Sequence, residues 1–417
     1  MLNTVKFVDQ GTYGCIYKPN IPCANEKPKP KTKSQLYISK VQEKKTNSER
    51  EEKIGKIITS QIANYNRRYA PIISSCDINV RAIPREEAQK CKLITDIKEA
   101  DAEVQFKSYK MKFAGKQSLG KYLTKTASKG PKKLIKKTLE SHIYLLESID
   151  KLLSLTPPII HYDLKDNNIM YDSGIGKPIL IDFGLSFELK DIEAKYDHSI
   201  AQDMYYVFYE KYPPWCIELV LLSYIVQEVV DKTPQRILTK ITAQDVQNMH
   251  KICDNFINNS EVFNLEDSTT DFSQEEIRTL RESLYVYIAS YLDKSWEVMY
   301  KDLQKGFASW DNYSIAVIFY YYIVDIMKPD KGFAKSDILL NQYIGLLKKI
   351  ILAPLSQRPT AKETIAELKK FSKIQPKKEY DKFLSDMDTI LKQKMASNAI
   401  VIDVNKRIVS QESHVNR

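Results

Sequence analysis

The chain has 417 residues, of which 43% are hydrophobic and 28% are charged, and its formal net charge is +10. This length is sufficient for a sizeable buried core in one large domain or two lobes, and the composition is ordinary for a soluble globular protein. Lysines are spread along the chain rather than grouped in blocks, so a solvated basic surface is favoured over a nucleic-acid-binding surface. Nucleic acid is not excluded as a partner, but it is not the expected one.

Signal peptides and membrane spans are not expected from the sequence. Residues 1–10 include Lys6 and Asp9 but no apolar core, which argues against a signal peptide. The most apolar run, Ile315 to Val324, is too short to span a bilayer and is typical of a buried helix. The six cysteines form no C-x-x-C pair and have no regular spacing, so we expect reduced thiols in a cytosol-like compartment.

Two short strands, Val5 to Val8 and Cys15 to Lys18, are predicted near the start of the sequence, joined by a turn that contains Gly11 and Gly14. Glycines in such a turn allow backbone N–H groups to approach phosphate oxygens closely. The second strand is followed by Pro19 to Gln35, which is rich in Pro and Lys and predicts a disordered insertion.

Leu36 to Val41 alternates as a half-buried strand does, and it carries Lys40. The helix that follows from about Ser48 has several acidic residues in its first turns. Glu51 is expected to lie beside the buried face of this helix, because isoleucines follow it at helical spacing, and Glu52 is its rival for that place.

A further strand is predicted from Phe106 to Phe113, with a helix beginning near Leu119. The clearest amphipathic helix runs from Leu134 to Leu155, with apolar residues along one face, and the prolines that follow end it. Ile159-Ile160 then predicts a short apolar strand. This order of helix, proline stop and strand leads directly into the most informative segment of the chain.

That segment is His161-Tyr162-Asp163-Leu164-Lys165-Asp166-Asn167-Asn168, followed shortly by Asp182-Phe183-Gly184. Between them, two short apolar runs around a glycine-containing turn predict a hairpin. Three polar side chains, Asp163, Asn168 and Asp182, can converge at one end of this hairpin. Phosphoryl transfer needs such a group, because one carboxylate orients the attacking hydroxyl while a carboxylate and an amide hold magnesium.

The two motifs match H-R-D-L-x-x-x-N and D-F-G at every position except Tyr162, and the chain therefore resembles the eukaryotic-type Ser/Thr protein kinases. Its divergent style resembles the kinases of large DNA viruses. The resemblance implies an α+β, bilobed fold with a small β-rich N-lobe that has one main helix, and a large helical C-lobe. The implied domains are an N-lobe of residues 1–114 (with the disordered insertion at 19–35), a C-lobe of residues 115–375 (with a helical insertion at about 221–307), and a C-terminal helix and tail at 376–417.

The resemblance also implies roles for individual residues. Asp163 would be the catalytic base, Lys165 would neutralise charge on the transferring phosphoryl group, and Asn168 and Asp182 would bind Mg²⁺. An acid of the helix after Lys40 would form an ion pair with that lysine, and Glu51 is the expected partner, with Glu52 as its rival. Met111 would be the gatekeeper of the adenine site, with Lys112 to Ala114 offering backbone groups to the base. The implied cofactors are ATP and Mg²⁺, and the implied nucleotide-binding residues are Gly11, Thr12, Tyr13, Gly14, Ile16, Lys40, Glu51, Met111, Phe113 and Asp182.

Two positions depart from the family pattern. Asp9 stands where the first glycine of the nucleotide loop is expected. Tyr162 replaces the arginine that in this family commonly binds a phosphate on the activation loop. We therefore expect activity that does not need activation-loop phosphorylation, because the main anchor for such a phosphate is missing.

Three later segments also resemble kinase motifs. Pro213 to Glu218 is a remote version of A-P-E, and Glu218 is expected to pair with Arg358 of an R-P-T sequence. Asp311, at the start of a very apolar helix, is expected to accept hydrogen bonds from the catalytic-loop backbone. The helical insertion includes Ser273 and Glu276, which form a predicted capping box.

The predicted function is an ATP-dependent protein kinase that phosphorylates Ser/Thr hydroxyls of protein substrates in the cytoplasm, which would be the host cytoplasm or the virion if the chain is viral. The segment after Gly184 to about Tyr212, which would be the activation segment, is polar and has no Thr. One alternative is a pseudokinase that acts as a nucleotide-binding scaffold, which Asp9, Tyr162 and this unusual activation segment favour. A small-molecule kinase is a further alternative, against which D-F-G, Asp311 and the R-P-T sequence argue.

Overall fold

The structure is a computed structural model that describes residues 5–11, 14–23, 36–43, 46–78, 80, 83–95, 106–127, 131–190, 195–264, 272–326, 338–354 and 357–374. In these ranges the chain is an α+β protein, with an antiparallel sheet in its N-terminal part and helices in its C-terminal part. The chain divides into two compact units, the first formed by residues 1–116 and 170–186 and the second by residues 117–169 and 187–417. The predicted C-terminal helix and tail at 376–417 lie outside the described residues.

The main sheet has five antiparallel strands in the order β1-β2-β3-β5-β4 and lies in the first unit. Two smaller sheets have two strands each. Strands β6 and β9 pair antiparallel, and β7 pairs with β8. The strands are β1 (Lys6–Gly11), β2 (Gly14–Lys18), β3 (Tyr37–Glu43), β4 (Ile72–Ile78), β5 (Phe106–Lys112), β6 (Ile159–Ile160), β7 (Ile169–Asp172), β8 (Lys177–Leu180) and β9 (Phe187–Glu188).

Two disulfides cross-link the first unit, Cys15–Cys91 and Cys23–Cys76. The expectation of six reduced thiols is therefore wrong for these four cysteines. The partners are 76 and 53 residues apart in sequence, and the sheet and its connections bring their Cα atoms to 5.9 and 5.6 Å. Sequence spacing alone gives no sign of such long-range pairs.

Residues 19–23, which the sequence places in a disordered insertion, are fixed to the first unit through Ile21 and Cys23. Ile21 is buried with Tyr17 and Phe106, and its N–H donates to Ser39 Oγ at 2.8 Å. Cys23 is fixed by its disulfide. Residues 24–35, the rest of the predicted insertion, lie outside the described residues.

The helices of the described ranges are α1 (Thr46–Gln61), α2 (Arg85–Ala88), α3 (Lys92–Thr95), α4 (Leu119–Ala127), α5 (Pro131–Leu153), α6 (His198–Met204), α7 (Ile217–Tyr224), α8 (Ala243–Asn259), α9 (Gln274–Ala289), α10 (Trp296–Gln304), α11 (Trp310–Ile326), α12 (Ile338–Leu352) and α13 (Ala361–Ile374). Short 3₁₀ turns lie at Tyr65–Arg67, Asp166–Asn168, Pro234–Leu238 and Phe307–Ser309, and a π turn at Ile225–Val229 continues α7.

Helix α11 is the central element of the second unit. Every residue from Trp310 to Tyr322 is buried, as the very apolar sequence predicts. Helices α12 and α5 pack against it, and α13 packs against α5. The predicted capping box at the start of α9 is present, because Ser273 and Glu276 each accept a backbone N–H from the other. No helix in the described part of the chain has the length and apolar character needed to cross a membrane.

Candidate active site

The sequence-predicted residues form two clusters, one in each unit. In the first unit, Lys40 of β3 lies between two carboxylates. Its Nζ is 3.0 Å from Glu51 Oε2 of α1 and 3.1 Å from Asp182 Oδ1. The predicted ion pair of Lys40 with Glu51 is present, whereas the rival Glu52 pairs with Lys56 and accepts from Ser75. That this cluster binds nucleotide stays a prediction.

The two carboxylates around Lys40 differ in exposure. The Glu51 side chain is 2% exposed and the Asp182 side chain is 43% exposed. Burial alone would lower the pKa of the Lys40 ammonium, but Asp182 and Glu51 outweigh it and raise that pKa above its ordinary value. Lys40 is therefore charged at any physiological pH, and the exposed Asp182 is the carboxylate that can also meet a ligand.

The turn that carries Asp182 has an unusual backbone. Asp182 has φ 60°, in the left-handed region that aspartate tolerates better than most residues. The next residue, Phe183, is fully buried and packs edge-on against Tyr69 at a centroid distance of 6.4 Å. This anchor fixes the turn and aims Asp182 at Lys40.

The predicted nucleotide loop is described in part, since Thr12 and Tyr13 lie outside the described residues. A Cβ on Gly14 would lie 2.7 Å from the Val41 carbonyl oxygen, so close packing of β2 on β3 requires this glycine. Among the described residues, a Cβ on Gly11 would come no closer than 3.9 Å to an atom outside its chain neighbours, so packing against them does not require glycine there. Ile16 is half-buried and lies opposite Lys40 in the sheet register.

The predicted adenine-site residues follow β5. Met111 is buried and packs with Ile72 and Tyr109 in the first unit's core. The Phe113 N–H donates to the Leu36 carbonyl at 2.9 Å, and Lys18 Nζ lies 3.3 Å from the centroid of the Phe113 ring. The Phe113 N–H is therefore hydrogen-bonded within the first unit.

In the second unit, the Asp163 carboxylate is the centre of a buried polar cluster. Asn168 Nδ2 donates to Asp163 Oδ2 and to the Asp163 carbonyl, both at 2.8 Å. Lys165 Nζ lies 3.1 Å from Oδ2, and the Tyr212 hydroxyl donates to Oδ1 at 2.5 Å. The structure thus brings together the three residues predicted as catalytic. It adds Tyr212, to which the sequence analysis gave no role.

The backbone of this loop is fixed by Asp311. Its two carboxylate oxygens accept the N–H groups of His161 at 2.8 Å and Tyr162 at 3.0 Å, as predicted. Burial raises the pKa of the Asp311 carboxyl, and the two N–H donors oppose that rise. Tyr162 has φ 70°, a strained conformation for a tyrosine, and its carbonyl accepts from Trp215 Nε1 at 2.8 Å. Asp311 and Trp215 together hold this strained residue in place.

Asp166 is a second residue that sequence reasoning missed. It is 1% exposed, and it accepts from the Gly120 N–H at 2.7 Å, from Ser118 Oγ at 2.9 Å and from the Tyr322 hydroxyl. Asp166 therefore caps the start of α4 and ties the catalytic loop to α11. The one sequence signal was a serine just before the first turn of α4, which is typical of a helix start but names no distant partner.

The predicted pair of Glu218 and Arg358 is also present. Arg358 NH1 lies 2.5 Å from Glu218 Oε1, and both side chains are buried. Burial opposes the positive charge, but Glu218 outweighs it and raises the pKa of Arg358. Asn312 of α11 also contacts the R-P-T sequence, because its Nδ2 donates to the Pro359 carbonyl at 2.7 Å. The segment 213–218 and the R-P-T sequence are thus joined in the core of the second unit.

Each unit carries a side-chain oxygen donor of a kind that hard cations take, Asn168 in the second unit and Asp182 in the first. Asn168 uses its amide nitrogen for both bonds to Asp163, which leaves its carbonyl oxygen as the atom able to meet a metal ion. Asp182 supplies a carboxylate that is well exposed. Amide and carboxylate oxygens are the ligands that Mg²⁺ prefers.

Comparisons with known proteins agree with a kinase likeness over a short part of the chain. No family model matches. A 48-residue segment is 58% identical to the "Probable serine/threonine-protein kinase samkC" of Dictyostelium discoideum, covering 11% of this chain and 5% of that protein. In the same organism, the "Probable serine/threonine-protein kinase samkA" is 53% identical over 49 residues, covering 12% of this chain and 8% of that protein. The "Probable inactive serine/threonine-protein kinase samkD" is 50% identical over 48 residues, covering 12% of this chain and 9% of that protein.

The matched segments thus span less than a tenth of each relative. Two of the three relatives are named as probable kinases and one as probably inactive. A short part of this chain is therefore similar to Ser/Thr protein kinases.

Proposed function

We propose that this chain is a Ser/Thr protein kinase that transfers the γ-phosphoryl group of Mg-ATP to hydroxyl groups of protein substrates. The observation that carries the proposal is the Asp163 cluster, in which Asn168 and Lys165 hold one oxygen of a buried carboxylate on a loop anchored by Asp311. Asp163 orients the acceptor hydroxyl and takes its proton. Lys165 places positive charge where the transferring group becomes more negative.

In the same proposal, the first unit binds the nucleotide. Lys40, held by Glu51, binds the α- and β-phosphates, and the turn from Gly11 to Gly14 covers them, with Ile16, Met111 and Phe113 against the adenine. Asn168 and Asp182 would hold Mg²⁺, which neutralises phosphate charge when bound. The Lys40–Glu51 ion pair supports this part of the proposal.

The antiparallel sheet and the helical C-terminal part are compatible with a bilobed kinase. We propose on that basis the division into an N-lobe at 1–114, a C-lobe at 115–375 and a C-terminal segment at 376–417. The likeness to kinases of large DNA viruses, and with it a place in the host cytoplasm or virion, stays a prediction.

We also propose that activity does not depend on activation-loop phosphorylation. The Tyr162 side chain, in place of the usual arginine, is 1% exposed and packs against Phe187 and Trp215 at centroid distances of 5.2 and 4.6 Å. An aromatic residue in this position has no charge with which to bind a phosphate. Phosphatase treatment is expected to leave turnover unchanged, as are Ala substitutions at Ser186 and Ser199. Loss of turnover in all of these would contradict the proposal.

The competing proposal is a pseudokinase scaffold. It is favoured by Asp9 in the nucleotide loop, by Tyr162, and by one relative that is named as probably inactive. Against it, the residues that phosphoryl transfer needs are all present: Lys40, Asp163, Lys165, Asn168 and Asp182. Lys40 pairs with Asp182 in the first unit, and Asp163 contacts both Lys165 and Asn168 in the second.

The deciding experiment is transfer of labelled phosphate from ATP to casein and to a basic protein such as histone. Wild type should label at least one of them, whereas Asp163→Ala should not. Glu275→Ala, which changes an exposed acid in the first turn of α9, is the matched control and should label as wild type does. Equal labelling by wild type and Asp163→Ala would exclude the enzyme and favour the scaffold.

A further inference from the structure

The Tyr212 hydroxyl donates a hydrogen bond to the carboxylate of Asp163, the residue that is proposed to activate the substrate. Its oxygen is 2.5 Å from Asp163 Oδ1, and both residues are 5% exposed. The two residues are 49 positions apart in sequence, so the contact is built by the fold of the second unit. Tyr212 also packs edge-on against Trp215, at a centroid distance of 5.1 Å, which orients its ring.

The other carboxylate oxygen of Asp163 is already engaged. Oδ2 accepts from Asn168 at 2.8 Å and pairs with Lys165 at 3.1 Å. A Ser or Thr acceptor must place its hydroxyl about 2.6–3.2 Å from the base that takes its proton. Oδ1 is the oxygen left for that hydroxyl, and Tyr212 already donates to it.

Resting on the proposed function, we propose that the Tyr212 hydroxyl occupies the place of the acceptor hydroxyl, so that the chain competes with its own substrates for Asp163. The phenol has the same donor chemistry as an incoming Ser or Thr hydroxyl. A substrate therefore gains access to Asp163 when the Tyr212 side chain turns away from Oδ1. The segment from Tyr212 to Trp215 thus acts as a built-in brake on protein substrates rather than on the nucleotide.

The opposite role would be positional. In that case the Tyr212 hydroxyl holds Asp163 in its active orientation, and removing it weakens catalysis. The two roles predict changes of opposite sign in the same measurement, which makes the choice between them sharp.

The test is Tyr212→Phe, which keeps the ring against Trp215 and removes only the hydroxyl. With casein or histone as substrate, kcat/KM is expected to rise about tenfold, because the substrate no longer displaces a hydrogen bond to a charged group. The rise should come mainly from a lower KM for the protein, with the KM for ATP unchanged. Tyr209→Phe, the same change three residues earlier, is the matched control and should leave kcat/KM as in wild type.

Each possible result of this experiment either supports or overturns the inference. If wild type transfers phosphate and Tyr212→Phe transfers it no faster, the inference alone is overturned. If neither transfers more than Asp163→Ala does, the proposed function fails and the inference falls with it. If Tyr212→Phe transfers phosphate while wild type is nearly silent, both stand. Melting temperatures of the three variants, measured alongside, identify any that fails to fold, and Tyr212→Leu then replaces Tyr212→Phe with the same expected rise.

Discussion

Lys40 lies between two carboxylates, that of Glu51, which is buried, and that of Asp182, which is exposed. Glu51 is 2% exposed, whereas Asp182 is 43% exposed and sits on a turn with a left-handed residue. Under the proposed function, Lys40→Met is expected to lower turnover on the order of 100-fold, since Lys40 would no longer hold the phosphates. It should also lower the free energy of unfolding by about 3–5 kcal/mol, because Glu51 is left as an unpaired buried charge.

Those two effects can be separated with a double variant. Lys40→Met combined with Glu51→Gln removes both charges, so stability in a denaturant titration should recover while turnover stays low. If turnover recovered together with stability, Lys40 would serve the fold and not the phosphates. Wild-type turnover in the single variant would mean that the phosphate anchor lies elsewhere.

His142 gives the second unit a pH dependence that is independent of the active site. It is buried in α5, stacks on Phe319 at 4.3 Å and contacts the Tyr343 hydroxyl at 2.8 Å through Nδ1. Burial lowers its pKa from 6.5 to about 3. The unfolded chain takes up this proton near pH 6.5 and the folded chain only near pH 3, so stability is lost as pH falls through that window.

The loss from His142 should amount to about 1.4 kcal/mol for each pH unit below 6.5. Denaturant unfolding at pH 7.5 and 5.5 measures it, with His142→Phe as the control that keeps a ring beside Phe319. The variant should lose less stability than wild type between these pH values. An equal loss in both would show that other groups cause the acid sensitivity.

At the level of residues, local sequence was informative where the partner came from a neighbouring element or a recognised motif. The kinase resemblance implies an acid of α1 as the partner of Lys40, and helical periodicity selects Glu51 among the candidates. Tyr212 and Asp166 were not identified, because their partners lie 46 to 156 residues away and nothing in spacing or periodicity links them. Their roles follow from packing alone.

The element that Asp166 organises is the start of α4. A Cβ on Gly120 would lie 2.7 Å from Asp166 Oδ1, so the glycine makes room for the acid. Gly120→Ala should therefore destabilise wild type. In an Asp166→Ala background the same change should be neutral or stabilising by up to about 1 kcal/mol, since alanine favours a helix over glycine. A double-mutant cycle of unfolding free energies tests this, and additive effects would contradict it.

Residues 196–205, which belong to the proposed activation segment, contact α10 through aromatic side chains. Tyr196 packs edge-on against Tyr300 at 5.1 Å, and its N–H donates to Glu297 Oε1 at 3.3 Å. Tyr205 follows in the same segment, fully buried against Tyr300 and Phe187. Under the proposed function, a helix of the predicted insertion would order the activation segment through this packing, without a phosphate.

Tyr196 separates that explanation from a phosphate switch. Tyr196→Phe keeps the ring against Tyr300 and cannot be phosphorylated, so it should retain wild-type turnover. Tyr196→Ala loses the ring contact, worth about 1 kcal/mol, and turnover should fall about fivefold. Equal losses in both variants would instead favour phosphorylation of Tyr196 as the ordering event. Mass spectrometry of the purified wild type gives the state of the residue.

Elements with strong periodicity were predicted well. The helix expected at 134–155 is α5, and the buried run after Asp311 is α11. Proline at the end of one helix and a capping box at the start of another set boundaries that local chemistry controls. Residues 19–23 were mispredicted because Pro and Lys content suggested disorder, whereas one apolar residue and one cysteine fix this segment to the sheet.

Across the whole molecule, the two units are stabilised by different means. Both disulfides lie in the first unit, while Cys216 and Cys253 are buried free thiols of the second unit, where burial raises the pKa of each. The second unit depends instead on apolar and aromatic packing around α11. All three tryptophans, Trp215, Trp296 and Trp310, belong to it. Tryptophan fluorescence therefore reports the second unit, and circular dichroism reports both.

Reduction should destabilise the first unit alone. A cross-link that closes a loop of 76 residues is worth about 4 kcal/mol through the entropy of the unfolded chain, and the second disulfide lies inside that loop and adds less. With dithiothreitol, the circular dichroism transition in urea should shift to lower concentration or split, while the fluorescence transition keeps its midpoint. Thiol titration in denaturant should give two free thiols before reduction and six after it. Six free thiols in protein purified under air would contradict the disulfide pairing. A fluorescence midpoint that shifts together with the circular dichroism midpoint would show that the two units unfold as one, because stability lost in the first unit would then be lost in both.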